Sequence, residues 1–244
     1  MNDSASPIVI TGGAQRLGLA TALALHSEHA PVVISYRKDR PLLKELRANG
    51  IETLQADFSE PEGALEFADE LKSRYSSLRA IIHNASEWIP EQSGMTNVAL
   101  MQRMMNVHCM APYLINQECS DLLLRYADMH GSSDIIHLSD YVASIGSKKH
   151  TAYAAGKAAL ENLTLSFAAK LAPGVKVNSI APALLMFNEA DDESYRLEAS
   201  RKALLGVAPG ESEGVNAIRF ILDSRYLTGK TIALDGGRHL VSTL

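Results

Sequence analysis

The chain has 244 residues, of which 46% are hydrophobic and 21% are charged, and its formal net charge at pH 7 is −5. This length and apolar content are enough to bury one large core, so we expect a single domain over residues 1–244. Lysine and arginine form no block interleaved with aromatic residues, and no stretch approaches about eighteen uninterrupted apolar residues. We therefore expect neither a nucleic-acid partner nor a membrane span.

The N-terminal segment and the cysteines bear on location and metal binding. Residues 1–6 are polar and acidic, without the basic and apolar regions of an export signal, so we expect a cytoplasmic protein. Cys109 and Cys119 fall in one predicted helix about 15 Å apart along its axis, too far for a disulfide, and we expect both to be buried thiols. Metal-ligand spacings such as Cys-x-x-Cys are missing, so no metal site is predicted.

Strand and helix signals alternate along the chain. Apolar, β-branched runs predict strands at Ile8–Thr11, Val32–Tyr36, Glu52–Ala56, Ala80–His83, Asp134–Leu138, Lys176–Ile180 and Thr231–Leu234. Helical patterns lie between them at 16–29, 40–49, 61–75, 96–127, 151–171 and 212–223. This alternation predicts a Rossmann-like α/β fold, a doubly wound parallel sheet of about seven strands with helices on both faces. Such folds bind ligands at the carboxyl ends of their strands.

A glycine-containing turn follows the first predicted strand. The turn Thr11–Gly18 includes Gly12, Arg16, Leu17 and Gly18, and a helical pattern begins within it. A strand that enters such a turn and then a helix directs unpaired N–H groups and the positive end of the helix dipole at a phosphate. The turn favours a dinucleotide site, although an ordinary strand–helix turn has the same local pattern.

The residues after the second predicted strand bear on which dinucleotide binds. Enzymes specific for NAD commonly place a carboxylate there for the ribose hydroxyls, whereas the 2′-phosphate of NADP requires a cation. Here Arg37 and Lys38 follow the strand, and Arg37 can contact a phosphate in a bidentate manner. The pattern favours NADPH. Asp39 argues against this, and an ordinary solvated charge pair is the alternative for Arg37 and Lys38.

The long helical pattern at 96–127 contains methionines and a proline. Methionines at helical spacing are more typical of adaptable core packing than of a substrate site. They are Met95, Met101, Met104, Met105 and Met110. Pro112 lies inside the pattern and is expected to kink the helix.

Tyr153 and Lys157 lie four residues apart in the predicted helix at 151–171, and Asp140 precedes Tyr153 by thirteen residues. Side chains at i and i+4 share one face of a helix, so the lysine ammonium would favour the ionised form of the phenol. This makes Tyr153 a candidate proton donor at neutral pH. By itself the spacing is weak evidence, because solvated helices also contain it.

The segment 183–209 is the most linker-like part of the chain and contains an acidic run at 189–193. In a doubly wound fold, an insertion near the C-terminal edge of the sheet is more typical of a substrate cover than of a domain linker. We expect this segment to cover a substrate.

Four motifs in order along nearly the whole chain resemble the short-chain dehydrogenase/reductase family. They are the turn from Thr11-Gly12 to Gly18, Asp57, His83-Asn84-Ala85-Ser86 and the segment Val177–Pro182. Three departures from the general pattern resemble the pteridine reductases within that family. Arg16 replaces the middle glycine of the turn, Asp140 replaces the catalytic serine, and Ser86-Glu87-Trp88 follows Asn-Ala in place of glycine. The segments around Trp88, Asp140 and Asp235 are most similar to bacterial dihydromonapterin reductases.

This resemblance implies roles for individual residues. Tyr153, Lys157 and Asp140 would be catalytic, with Lys157 bridging the nicotinamide ribose hydroxyls and lowering the pKa of Tyr153. The implied NADPH-binding residues are Gly12, Arg16, Leu17, Gly18, Arg37, Asp57, Asn84, Ala85, Tyr153, Lys157 and Pro182. The implied substrate-binding residues are Arg16, Ser86, Trp88, Asp140 and Tyr153. Trp88 would stack on a flat heteroaromatic ring; the alternatives are a strand-end cap for Asp140 and a core position for Trp88.

One position departs from the family pattern without narrowing the function. Aligning Ala111-Pro112-Tyr113 places His108 where many members have an active-site asparagine. Asn106 lies two residues earlier, roughly 200° around the helix, so it faces away and is no simple substitute. We treat His108 as a candidate for binding water behind the active site.

The function implied by the resemblance is NADPH-dependent reduction of a 7,8-dihydropterin to a tetrahydropterin, chiefly of dihydromonapterin and with dihydrofolate as a second substrate. The family also implies a homotetramer, and the glycine-rich C-terminal segment suits close contact between subunits. Two alternatives stay open. A reductase of ketones, sugars or acyl thioesters is disfavoured by Asp140 and Trp88, and a catalytically silent NADPH-binding regulator is disfavoured by Tyr153 and Lys157.

Overall fold

A seven-stranded parallel sheet forms the centre of the protein in a computed structural model that describes residues 6–28 and 30–241. The strands are β1 Ile8–Ile10, β2 Val32–Tyr36, β3 Glu52–Gln55, β4 Ala80–His83, β5 Ser133–Leu138, β6 Val175–Pro182 and β7 Thr231–Leu234. Their order is β3-β2-β1-β4-β5-β6-β7, and every neighbouring pair is parallel. The order reverses between β1 and β4, which opens a crevice at their carboxyl ends. The predicted fold class is confirmed.

Helices cover both faces of the sheet. They are α1 Arg16–Ser27, α2 Leu42–Ala48, α3 Pro61–Arg74, α4 Asn97–Met105, α5 Ala111–His130, α6 Val142–Ile145, α7 Thr151–Leu171, α8 Glu193–Ser200, α9 Glu211–Asp223 and α10 Arg238–Val241. Helices α3, α5 and α7 pack on one face and α1, α2 and α9 on the other. Side chains alternate along a strand, so Val9 enters the first core while Ile8 and Ile10 enter the second.

The predicted helix at 96–127 is interrupted. Helix α4 continues into a π-helical turn, Asn106–Met110, and α5 starts at Ala111, immediately before Pro112. Proline lacks an N–H and clashes with the carbonyl of the preceding turn, so the wider π turn accommodates it. The core assignment of the methionines is right for buried Met104 and wrong for Met101 and Met110, which are 43% and 41% exposed.

Further details concern the segment 183–209, the cysteines and membrane spans. The segment 183–209 contains a helix, α8, whose first turn is capped by the Asp192 carboxylate accepting from the Tyr195 N–H. Both cysteines are free, but only Cys119 is buried. Among the described helices, none combines the length and the apolar character that crossing a bilayer requires.

A buried chain of hydrogen bonds links β4, β5, α5 and α7. The Thr164 hydroxyl donates to the Leu160 carbonyl, so its oxygen accepts from Nδ1 of His137 at 2.8 Å. The Asn116 amide then donates to Nε2 of His137 at 3.2 Å and accepts from Nε2 of His83 at 2.8 Å. Burial lowers the pKa of His83 to about 4 and that of His137 well below its usual range. Both imidazoles are therefore neutral in the folded protein at neutral pH.

We expect acid to destabilise the protein through His83. Its unfolded pKa is about 6.5, so the unfolded chain binds more protons between there and the folded pKa of about 4. Stability is therefore lost as the pH falls across that window, by about 3 kcal/mol at most. Urea unfolding at several pH values for the parent and for His83→Gln measures this contribution. A free-energy difference between the two proteins that is independent of pH would contradict it.

Candidate active site

A cleft of about 550 Å³ lies at the carboxyl ends of β1, β2, β3 and β4. Its walls include most of the residues that the sequence predicted for NADPH or substrate. These are Gly12, Arg16, Leu17, Gly18, Arg37, Asp57, Asn84, Ala85, Ser86 and Trp88. Asp140, Tyr153, Lys157 and Pro182 lie outside this cleft, beyond Trp88. The predicted residues thus fall into two neighbouring sets, one that lines the cleft and one around Tyr153, which we call the candidate catalytic group.

Asn84 ties the turn after β1 to the end of β4. Its side-chain amide donates to the carbonyls of Thr11 and Gly12 at 3.0 and 3.1 Å. The Thr11 hydroxyl accepts in return from the N–H groups of Asn84 and Ala85, both at 3.0 Å. Gly12 has a φ of 65°, and a Cβ there would lie 2.9 Å from the Ala85 Cα. The turn needs glycine because these backbones lie so close together.

The start of α1 suits a pyrophosphate. The first N–H groups of a helix have no intrahelical partner, and within the described chain the N-cap residue Gln15 makes no capping hydrogen bond. A Cβ on Gly18 would collide with the Asn84 amide nitrogen and lie 2.6 Å from the Gly12 carbonyl oxygen, so glycine is needed there for the helix start to pack against the turn. Arg16 has a φ of 51°, a strained conformation for a residue with a side chain. These features fit a dinucleotide phosphate at this helix end.

Arg37 lies in the cleft as predicted, but it does not lie free. Its guanidinium donates to the carboxylate of Glu87, which also accepts two hydrogen bonds from Arg103 on α4. Sequence reasoning assigned no role to Glu87 or Arg103, because Arg37 and Glu87 are separated by 50 residues.

The catalytic group is held together by the phenol of Tyr153. Its hydroxyl donates to Oδ2 of Asp140 at 2.9 Å, and Oδ1 of Asp140 accepts from the Val142 N–H at 2.9 Å. Lys157 donates instead to the Leu138 carbonyl at 2.6 Å, and its Nζ lies 5.6 Å from the centroid of the Tyr153 ring. The i,i+4 spacing therefore places lysine beside the phenol without a hydrogen bond between them.

Burial sets the protonation of this group. It lowers the pKa of Lys157 to about 8 and raises the pKa of Asp140. Burial, followed by the negative charge of Asp140 and the hydrogen bond to it, raises the pKa of Tyr153. The expectation that Lys157 lowers the pKa of Tyr153 is wrong for this structure, because the phenol is buried and donates to a carboxylate. Tyr153 is neutral and holds its proton.

His108 lies directly behind this group. Its Nδ1 donates to the Met104 carbonyl at 3.0 Å, which leaves the lone pair of Nε2 to accept from the Ser86 hydroxyl at 3.0 Å and the Glu87 N–H at 3.3 Å. Burial and then the charge of Lys157 hold the pKa of His108 well below its usual range. As expected, Asn106 faces away, and its amide donates to the Ser59 carbonyl.

Trp88 connects the cleft to the catalytic group. Its ring is 53% exposed and lies 3.8 Å from His150 in a stacked geometry and 4.4 Å from Tyr153 in an edge arrangement, as measured between centroids. A core role for Trp88 is thereby excluded. His150 is a further aromatic residue of the site that sequence reasoning missed, although its position three residues before Tyr153 was a signal.

The segment 183–209 reaches the cofactor turn. The Arg16 guanidinium donates to the side-chain oxygen of Asn188, and Asn188 lines the cleft. Pro182, at the end of β6, accepts at its carbonyl from the Tyr141 N–H at 2.9 Å, next to Asp140. No cluster of three or more His, Cys, Asp or Glu side chains suited to a metal occurs in the described ranges.

The chain is similar to known proteins in sequence and in fold. Residues 12–239 match the family described as Enoyl-(Acyl carrier protein) reductase. A dihydromonapterin reductase from Klebsiella pneumoniae subsp. pneumoniae is 52% identical over 96% of this chain and 97% of its own length, and one from Escherichia coli (strain SMS-3-5 / SECEC) is 49% identical over the same shares. The crystal structure of FolM alternative dihydrofolate reductase 1 from Brucella canis, complexed with NADP, superposes with a TM-score of 0.84 at 26% identity, covering 97% of this chain and 94% of that one.

Proposed function

The chain belongs to the short-chain dehydrogenase/reductase family, and we propose that residues 1–244 form one NADPH-binding domain that reduces 7,8-dihydropterins to tetrahydropterins. Dihydromonapterin is the main substrate in this proposal, and dihydrofolate is the second. The observation that carries it is the Asp140–Tyr153 hydrogen bond of 2.9 Å beside the exposed Trp88 ring. The names of the relatives support the same substrate class.

Asp140 and Trp88 suit a pterin better than a simple ketone. A carboxylate accepts from the N–H donors of a heterocycle, whereas a ketone offers it no donor. The exposed Trp88 ring can stack on a flat heteroaromatic molecule next to Tyr153. These two residues disfavour the alternative, a reductase of ketones, sugars or acyl thioesters.

The chemistry adds one hydride and one proton to the C6=N5 bond of the dihydropterin. Bound NADPH supplies the hydride to C6. Tyr153 is neutral and can deliver its proton to N5. Burial raises the pKa of Asp140, and when Asp140 holds a proton it can reprotonate the phenolate across the same 2.9 Å contact. Lys157, which donates to the Leu138 carbonyl beside this phenol, would hold the nicotinamide ribose hydroxyls of bound NADPH.

Cofactor recognition follows from the cleft. The open N-terminus of α1 takes the pyrophosphate, and Arg16 approaches it from the turn. Arg37 takes the 2′-phosphate, with Lys38 and Arg40 also on the cleft wall. A cytoplasmic location stays a prediction.

Exposed apolar side chains support the homotetramer that we propose. They lie on α4, α5 and α7 and in the π turn, at Val98, Met101, Met110, Tyr113 and Leu165. Light scattering at micromolar concentration should give four times the chain mass of 26.4 kDa. A monomeric mass would refute the tetramer, and charged substitution of exposed Leu165 tests whether α7 forms the contact.

Turnover should be highest with dihydropterins. An NADPH oxidation assay with dihydromonapterin, dihydrobiopterin, dihydrofolate and several ketones tests the proposal directly. We expect kcat/KM to be more than about tenfold higher with NADPH than with NADH, a difference of about 1.4 kcal/mol. Arg37→Asp should reduce or invert this ratio. A ketone reduced faster than every dihydropterin would replace the proposal with a general carbonyl reductase.

Three substitutions should affect different kinetic parameters. Tyr153→Phe should lower kcat by about 10² to 10⁴ with cofactor affinity kept, because it removes a proton path and little contact area. Asp140→Ser should reduce dihydropterin turnover severely, since serine lacks the charge and the second acceptor oxygen. Trp88→Ala should mainly raise KM for the pterin, because the lost stacking contributes about 0.5–1.5 kcal/mol to pterin binding. Undiminished dihydropterin reduction by Asp140→Ser would contradict the assigned role of the carboxylate.

A further inference from the structure

Glu87 lies between two arginines that hold it unequally. Arg103 makes two hydrogen bonds to its carboxylate, from Nε to Oε2 at 2.6 Å and from Nη2 to Oε1 at 2.9 Å. Arg37 donates to the same carboxylate through Nη1 alone. The Glu87 side chain is only 13% exposed, compared with 32% for Arg103 and 40% for Arg37. The carboxylate is therefore fixed to α4, and Arg37 is the partner that is free to leave.

The Arg37–Glu87 contact crosses the cleft. Arg37 follows β2 and Glu87 follows β4, while β1 lies between these strands in the sheet. The ion pair therefore spans the carboxyl end of β1, where the Gly12 turn opens toward the ligand. A dinucleotide that runs across this end of the sheet must pass the pair.

We propose that the Arg37–Glu87 ion pair is a latch over the adenosine half of the cleft, and that the 2′-phosphate of NADPH opens it by ion-pair exchange. Arg37 moves from the Glu87 carboxylate to the phosphate, and Glu87 remains with Arg103. Glu87 thus lowers nucleotide affinity in the free enzyme. The inference rests on the proposed position of the 2′-phosphate at Arg37.

Charge explains why the exchange proceeds and why it needs Arg103. A phosphate dianion offers Arg37 more charge and more acceptor oxygens than a carboxylate does, so it competes well for the guanidinium. A carboxylate left unpaired and mostly buried near that phosphate would be strongly unfavourable. The bidentate contact with Arg103 prevents this, which makes Arg103 a positioning residue for cofactor binding. Asp57 accepts from the Ser59 N–H at 3.0 Å. This hydrogen bond, with the charges of Arg37 and Arg103, outweighs burial and lowers the pKa of Asp57.

Calorimetric titration with 2′,5′-ADP and 5′-ADP measures the latch without turnover. Either nucleotide must separate Arg37 from Glu87 in order to bind. Glu87→Gln should therefore raise the affinity for both nucleotides by about threefold to tenfold. This effect is somewhat larger than is usual for exposed ion pairs, because Glu87 is mostly buried. Arg103→Met should weaken 2′,5′-ADP by at least about tenfold. The double variant Glu87→Gln/Arg103→Met should regain the parent affinity or exceed it. Glu66→Gln, at an exposed position on α3, is the charge-matched control and should change neither affinity. Thermal melting of each variant shows whether it is folded.

The outcomes separate the latch from the cofactor site. If folded Glu87→Gln binds the nucleotides no more tightly than the parent, the latch proposal is wrong. It is also wrong if adding Glu87→Gln to Arg103→Met does not restore the affinity for 2′,5′-ADP. If the parent binds 2′,5′-ADP no better than 5′-ADP, the assigned phosphate site is wrong and the latch fails with it. Pterin turnover by the parent is measured separately. If the parent reduces no pterin but the binding results hold, only the substrate assignment is wrong.

Discussion

The active site depends on the close approach of two backbone segments at the point where the sheet order reverses. Asn84 holds this approach with hydrogen bonds to two carbonyls of the cofactor turn, and Thr11 returns two more. Because the segments touch, the turn excludes a side chain at Gly12. The same contact fixes the start of α1 and the segment from Ser86 to Trp88 on opposite walls of one cleft. In the proposed function, the phosphate site and the stacking face of Trp88 therefore both depend on this one junction.

Exclusion of water controls the chemistry beside that junction. Burial is the largest cause that pushes Asp140 and Tyr153 toward their protonated forms and Lys157 and His108 toward their neutral forms. In the proposed reaction, these raised pKa values let Asp140 and Tyr153 hold protons that are then released to the substrate nitrogen. Asp140 in the place of serine adds a group that can both bind ring N–H donors and exchange a proton with Tyr153. In the proposed function, this one residue thereby serves both substrate recognition and proton transfer.

The position of an ion pair decides whether it supports the fold or takes part in ligand binding. Asp134 is fully buried between Arg79 and Lys176 at the end of the sheet opposite the cleft, where the three charges lock β5 and β6 against the end of α9. Glu87 has the same arrangement, one acid between two bases, but it lies at the cleft, where a ligand with a stronger negative charge can compete. The first arrangement is structural because Asp134 is fully buried, and the second is exchangeable because Arg37 is exposed.

The sequence by itself determined the fold class and most of the cleft. Strand and helix periods are local. The glycine turn and Asn84 follow directly from apolar strands, and Trp88 lies a few residues beyond the end of β4, so topology alone predicts that they share one edge of the sheet. The tertiary structure decided what depends on residues distant in the chain. Tyr153 pairs with Asp140 rather than with an ionising lysine, Glu87 joins Arg37 to Arg103, and His150 stacks on Trp88. Burial and contacts between residues distant in the chain decide these pairings. The sequence pattern of a single strand or helix carries no information about either.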